Sequence, residues 1–163
     1  MKYQIYPLWQ FMREHYTFEE AFSLFGPFTG ANIRCRRIDP YTIESYMDLV
    51  PANTNYVGTH FGGSLYAMCD PFFMFLLMEH LGPDYIVWDQ RASIDFLKPA
   101  RARVKATFHI PPQRIADIQQ NLTKKRKSHE VFSCDIIEES NGRIVAHVEK
   151  VLYVRRRARS EDS

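Results

Sequence analysis

Residues 55 to 82 read NYVGTHFGGSLYAMCDPFFMFLLMEHLG, in which two adjacent glycines lead into a long apolar run broken by one carboxylate, Asp70, followed at once by Pro71. Apolar residues fall on nearly every side of a helix drawn over 61 to 81, and Gly82-Pro83 ends it. A helix apolar all round must be wrapped, and a concave sheet plus a partner element can hide all its faces. The apolar stretch from Leu65 to Met78 is about two-thirds of the roughly 20 residues that span a bilayer and contains Asp70 and Pro71, so it reads as a core helix.

The flanks supply that wrapping. Leu8, Phe11, Met12, Phe18, Ala21, Phe22 and Phe25 recur at roughly helical spacing until Gly26-Pro27, predicting one amphipathic helix over 8 to 25 with Thr17 as its weakest point. Ala31, Ile33 and Cys35 alternate with Asn32, Arg34 and Arg36; past Asp39-Pro40, Tyr41, Ile43, Ser45, Met47 and Leu49 take over as a second strand. Beyond the central helix, Ile86, Trp88, Ala92, Ile94 and Phe96 are expected on one face and Asp89, Arg91, Ser93 and Asp95 on the other. Ala102, Val104, Ala106, Phe108 and Ile110 then alternate with charged or polar residues.

Pro111-Pro112 opens a short helix with Ile115, Ile118 and Leu122 on its apolar face. Two last strands, 131 to 139 and 143 to 154, flank Asn141-Gly142, the dipeptide suited to a type I′ hairpin turn. The expected fold is α+β: a curved antiparallel sheet of about six strands around one long central helix. One domain with an N-terminal helix covers 1 to 154, and a polar basic tail covers 155 to 163.

Composition agrees with a single core and narrows the function classes. The chain has 163 residues, 45% hydrophobic and 14% aromatic, which suits one folded domain and argues against disorder. A net charge of +2 is too mild to imply nucleic acid. The basic runs Lys124 to Lys127 and Arg155 to Arg159 carry no interleaved aromatics or reading helix. Cys35, Cys69 and Cys134 are odd in number and form no CxxC pair, which points to a reducing compartment. The N-terminus lacks the pattern of a secretory signal, so the expected location is the cytoplasm, without a membrane.

No metal is expected, because the six histidines show no ligand spacing. His109 and His147 read as solvated strand residues. GGSLY is not GxSxG, so Ser64 is no serine nucleophile. The absence of Walker or Rossmann glycine patterns removes nucleotide hydrolysis and hydride transfer.

Gly62 and Gly63 stand where the central helix begins, where unpaired N–H groups and the positive end of the helix dipole face outward. A carbonyl gaining negative charge during attack, such as a thioester's, suits such a place; alternatively the glycines allow a tight entry against a neighbouring strand. Asp70 lies seven residues after Gly63, roughly 10 Å along a helix, too far to act on a carbonyl held there. A second helix running antiparallel across a two-fold axis would bring its Asp70 to those amides, giving a site shared between copies. Asp70-Pro71 also has local readings. Asp70 can cap a new helix, although Phe73 denies it a capping box, or Pro71 can kink a continuous helix and free the Ala67 carbonyl. Glu79 projects from the opposite face.

NYVGTHFGGSLYAMCD resembles the Asn-x-x-Gly-x-x-His-Gly-Gly signature, with an acid seven residues after the second glycine, of hotdog-fold acyl-CoA thioesterases. The nearest likeness is to the tetrameric phenylacetate-pathway-like branch and its uncharacterised bacterial relatives. The resemblance implies a hotdog fold, with Asp70 as catalytic acid, Asn55 as polar loop residue, and the amides of Gly62 and Gly63 polarising the carbonyl. It also implies an acyl-CoA substrate, no cofactor beyond the coenzyme A of that substrate, and a homodimer that pairs into a dimer of dimers. One departure stands out: Phe61 occupies the usual histidine position and His60 precedes it.

Coenzyme A phosphates would meet basic residues, with Lys124 to Lys127, Arg101, Arg103 and Arg155 to Arg157 as candidates; Lys124 to Lys127 equally suit the helix C-terminus that they follow. Two other functions fit the same pattern. One is a hotdog hydratase or dehydratase, in which a loop histidine and a helix acid move protons. The other is a non-catalytic acyl-ligand binder or assembly module, which would tolerate Ala at position 70.

Overall fold

The structure is a computed structural model that describes residues 5–157. Helix α1 (Pro7–His15) starts with Pro7 at its first position, where a missing N–H costs nothing. Helix α2 (Phe18–Leu24) is closed by a full capping box: Thr17 accepts from the Glu20 N–H while Glu20 accepts from the Thr17 N–H. The single N-terminal helix is therefore broken at Thr17, the point of weakness. As expected, the helix stops before Gly26-Pro27, with Leu24 its last residue and Phe25 extended, but a third helix, α3 (Gly26–Ala31), follows with Pro27 in its first turn.

Strands β1 (Ile33–Asp39) and β2 (Thr42–Met47) pair as an antiparallel hairpin. A short 3-10 turn (Pro51–Asn53) leads to α4 (Gly62–Ala67) and α5 (Phe72–Leu81). Strands β3 (Tyr85–Phe96) and β4 (Val104–His109), helix α6 (Pro112–Lys124), and strands β5 (Lys127–Glu138) and β6 (Arg143–Arg156) complete the chain. The six strands form one sheet in the order β1-β2-β4-β5-β6-β3, with every neighbouring pair antiparallel. This is the expected hotdog fold.

Helix α5 is the filling. Phe72, Phe73, Leu76, Leu77 and Leu81 are buried, and Met74, Phe75 and Met78 are partly so, which accounts for the lack of a polar stripe. On the sheet side Phe72 and Phe73 meet Phe108 at 4.9 and 5.3 Å between ring centres, and Phe73 stacks on Phe132 at 5.1 Å. Helix α6 contributes Ile115, Ile118 and Leu122 to the same core, as its periodicity predicts. Opposite the sheet, Phe22 of α2 reaches both Phe72 and Phe75. Among the described residues no helix is long and apolar enough to cross a membrane.

Three local expectations are corrected. The β5–β6 loop has four residues, 139 to 142, and only Gly142 takes a positive φ, so the turn is not type I′. The β6 strand continues through Arg155 and Arg156, which pair with Ile86 and Tyr85 of β3, into the segment expected as tail; residues 158–163 lie outside the described residues. The alternation of β3 also slips. Val87 is buried and Trp88 exposed, whereas Ala92 and Ile94 face inward as expected. An irregularity between Asp89 and Arg91 accounts for this: one extra residue in a strand reverses the facing of everything before it.

Candidate functional site

The site grows from the interruption of the central helix. Pro71 has no N–H to give the Ala67 carbonyl, and its ring disfavours helical backbone at Asp70. The helix consequently stops at Ala67 and restarts at Phe72. Asp70 does not cap α5; Pro71 occupies that position and no side chain caps it. The exposed carbonyls of the break are taken up in other ways. Asp70 N–H reaches the Ala67 oxygen at 3.3 Å, Ser45 Oγ donates to the Met68 oxygen at 2.7 Å, and Lys150 Nζ donates to the Asp70 oxygen at 2.7 Å.

Lys150 comes from β6 and is fully buried. Its ammonium also donates to Asp70 Oδ1 at 2.9 Å and Tyr66 Oη at 3.4 Å, and forms an ion pair with Asp89 at 3.2 Å. Tyr66, one turn before Asp70 on α4, donates its hydroxyl to the same Oδ1 at 2.7 Å. One carboxylate oxygen of Asp70 is thereby held by a phenol and an ammonium, while its side chain stays 49% exposed. A lone buried ammonium would be very costly. Here each of its three protons has an acceptor within reach and the carboxylates of Asp70 and Asp89 both lie against its charge.

The electrostatics follow from those contacts. Burial works to lower the pKa of Lys150, but the Asp70 hydrogen bond and the charges of Asp89 and Asp70 outweigh it, so the ammonium lies above its ordinary value. Burial pushes Asp89 up, and the nearby Lys150 only partly offsets it. Burial and the bond to Asp70 raise Tyr66, which keeps the phenol a neutral proton donor. Behind the break, Cys69 is driven well above the usual thiol range by burial and by its hydrogen bond with Cys134. Burial likewise pushes Cys35 up to about 12.

Asp70 and Tyr66 open onto a cavity of about 380 Å³ whose other walls are apolar: Trp9, Phe22, Phe25, Pro27, Phe28, Ala67, Pro71, Met74 and Phe75. Helices α1 to α3 form one side, and the α4–α5 break with the first turns of α5 forms the other.

The other expected site residues do not join Asp70 within this chain. Asn55 closes its own turn: Nδ2 donates to Thr59 Oγ1 at 2.7 Å and to the His60 oxygen at 3.2 Å, and Oδ1 accepts from the N–H groups of Val57 and Thr59. Gly58, at φ 79°, makes the reversal possible. Gly62 and Gly63 open α4 as expected, and aromatic rings lie against both. A methyl at Gly62 would meet the Phe96 ring at 2.9 Å, and one at Gly63 would fall on the ring of Phe61. The glycines therefore admit close packing at the helix entry, the second of the two sequence readings, while their N–H groups remain first-turn donors.

His60 is buried, and its Nε2–H donates to the Ala102 carbonyl at 2.9 Å. Burial lowers its pKa more than that bond and the charges of Glu138 and Asp48 raise it. Glu79 pairs with Arg37 at 2.8 Å, away from Asp70. His147 is exposed beside Asp135 at 2.7 Å, and His109 shares a hydrogen bond with Thr42. Of the basic candidates, Arg103 is held by both oxygens of Asp48 at 2.7 and 2.8 Å. Lys124 ends α6, and Lys127 opens β5.

Lys150, Tyr66 and Asp89 were not singled out from the sequence, and of the three only Lys150 leaves a signal there. Ala146, Val148, Leu152 and Val154 share a parity and are all buried, and Lys150 has the same parity. A lysine in the inward register of a strand needs an acid partner. Asp89 has the parity of Val87, but that face is identifiable only once the irregularity at position 90 is known.

Residues 15–154 match the sequence pattern of a family described as Domain of unknown function (DUF4442). No curated protein matches the chain. Among solved structures, a Pseudomonas aeruginosa protein of unknown function described as a probable thioesterase superposes with a TM-score of 0.73 at 15% identity, over 85% of this chain and 93% of its own. A Chlorobaculum tepidum protein of unknown function gives 0.69 at 16% identity over 93% of both chains. A thioesterase from Haemophilus influenzae gives 0.61 at 15% identity, over 82% of this chain and 85% of its own. At these identities the likeness is one of fold.

Proposed function

We propose that this chain, which belongs to the DUF4442 family, is a thioester hydrolase acting on acyl-CoA esters. The observation that carries the reading is the half-exposed Asp70 carboxylate, anchored by Tyr66 and the buried Lys150 at the mouth of an apolar cavity. Thioesterases among the solved structures of the same fold support it.

In this reading the thioester carbonyl accepts from the first-turn amides of Gly62 and Gly63 in a second copy of the chain, where negative charge on its oxygen is stabilised as the bond order falls. Asp70 removes a proton from water that attacks the carbonyl carbon, or attacks that carbon itself and is regenerated by water. The carbon–sulfur bond breaks, the sulfur leaves as thiol after taking up a proton, and a carboxylic acid remains. Tyr66 and Lys150 hold one Asp70 oxygen and leave the other for the reaction. Asn55 serves by holding the 55 to 59 turn beside the glycines. Nothing beyond the substrate's own coenzyme A is needed.

The two-copy arrangement gains support from the sheet edge. Among the described residues strand β3 pairs only with β6, which leaves one side of a 12-residue strand without a partner there, and an uncovered edge of that length is a pairing surface. The hydratase reading loses its acid–base partner, because His60 is buried against Ala102.

The test is release of free coenzyme A from a panel of acyl-CoA esters, followed with a thiol reagent. Asp70→Asn should keep its folded spectrum and lose at least 100-fold in kcat/KM. Undiminished turnover in a folded Asp70→Asn protein removes the proposal.

A further inference from the structure

We propose that the cavity between helices α1 to α3 and the α4–α5 break holds the acyl group, and that it selects linear or aryl acyl chains of medium length and apolar throughout. This rests on the hydrolase reading of Asp70. The argument is one of matching polarity. Of the lining residues, only Asp70 and Tyr66 bring polar side chains other than the indole of Trp9, and they sit side by side, joined at 2.7 Å. A guest can therefore be polar at that end and must be apolar along the remainder, since a buried hydroxyl or carboxylate elsewhere would find no partner. An acyl thioester has that form: its carbonyl lies beside Asp70 and its chain runs among Trp9, Phe25, Met74 and Phe75.

Size sets the length. At roughly 30 Å³ per water-sized or methylene-sized group, and with filling no tighter than a protein interior, about 380 Å³ accepts a chain of about eight to twelve heavy atoms. An acetyl group would leave most of the aromatic wall uncovered. The wall is a packed aromatic cluster, in which Trp9 lies 5.4 and 5.3 Å from Phe22 and Phe25 and 6.4 Å from Phe75 between ring centres. The segment before the sheet is in this reading the chain-length ruler of the site.

The experiment compares kcat/KM for acetyl-, butyryl-, octanoyl-, decanoyl- and dodecanoyl-CoA in the full chain, in Met74→Trp, which fills the cavity, and in Trp9→Ala, which enlarges it. Binding of S-decyl-coenzyme A, a thioether that cannot be hydrolysed, is measured by calorimetry on the same proteins. The wild type should prefer decanoyl over acetyl by at least 100-fold. Met74→Trp should reduce the decanoyl-to-butyryl ratio at least tenfold and weaken the thioether similarly, and Trp9→Ala should move the optimum to longer chains. Hydrolysis with a flat length profile, or thioether affinity unchanged in folded Met74→Trp, overturns the cavity assignment and leaves the hydrolase reading standing. Thioether binding that Met74→Trp weakens, in a protein that releases no coenzyme A from any ester, supports the cavity and removes the hydrolase reading instead.

Discussion

Lys150 shows how much one residue can organise. It sits in the inward register of β6 among Val148 and Leu152, and it binds a backbone carbonyl, a phenol and two carboxylates around the helix break. Replacing it by Met keeps the volume but leaves Asp89 and Asp70 without a counter-charge. Because Asp70 is half exposed, Lys150→Met should cost about 2 to 3 kcal/mol, somewhat less than a wholly buried pair. The dependence on pH has a definite sign. The folded-state pKa of Lys150 is raised, so its contribution is fully present below the unfolded value near 10.4 and is lost as pH rises through the folded value. The stability gap between wild type and Lys150→Met, measured by urea unfolding, should be widest near neutral pH and narrow above about pH 10.4. A gap that stays constant into the alkaline range would show that the ion pairs contribute nothing.

At the scale of elements, the decisive feature is that the central helix comes in two pieces. A continuous helix would carry Asp70 round with its turn, whereas the break turns the Asp70 backbone oxygen toward Lys150 and its side chain toward both Tyr66 and the cavity. Pro71→Ala restores the missing N–H and allows the Ala67 carbonyl a full helical bond. The variant should remain folded, with a melting temperature within a few degrees of wild type, while kcat/KM falls at least tenfold as Asp70 leaves its anchor. Both measurements together check this, since a wholly structural role for Pro71 would lower the melting temperature and spare the activity of the remaining folded protein. The irregularity in β3 plays the companion part, because without the extra residue Asp89 would face away from Lys150.

For the whole molecule, the sheet has two edges of different kinds. Strand β1 is seven residues long, whereas β3 offers twelve residues, with Trp88 and Phe96 at 60% and 58% exposure. A second copy laid along β3 would cover that edge and supply the antiparallel helix that the proposed site requires. Sedimentation at micromolar concentration should give a dimer or a multiple of it. Trp88→Asp should shift the population toward monomer and lower thioester turnover in parallel. A wild type that is monomeric at all concentrations and still active would disprove a shared site.

What the sequence by itself determined was an antiparallel sheet wrapped round one apolar helix: which helix is wrapped, that β1 turns back on β2 and β5 on β6, and that Thr17 and Gly82 are punctuation. These are local matters, carried by periods of 3.6 and 2 and by the chemistry of caps and turns, so a stretch of ten to twenty residues contains the whole signal. It also marked Asp70 as anomalous, without saying what the acid touches. That was decided by the tertiary structure, since Lys150 lies 80 residues from Asp70 and the two meet only through the register of β6 beneath the helix break. Register and facing depend on single-residue offsets such as the one at position 90, and a one-residue slip leaves almost no trace in a pattern of alternating residues. The cavity is decided the same way, because its walls come from three short helices and the broken one, packed at distances that no local pattern specifies.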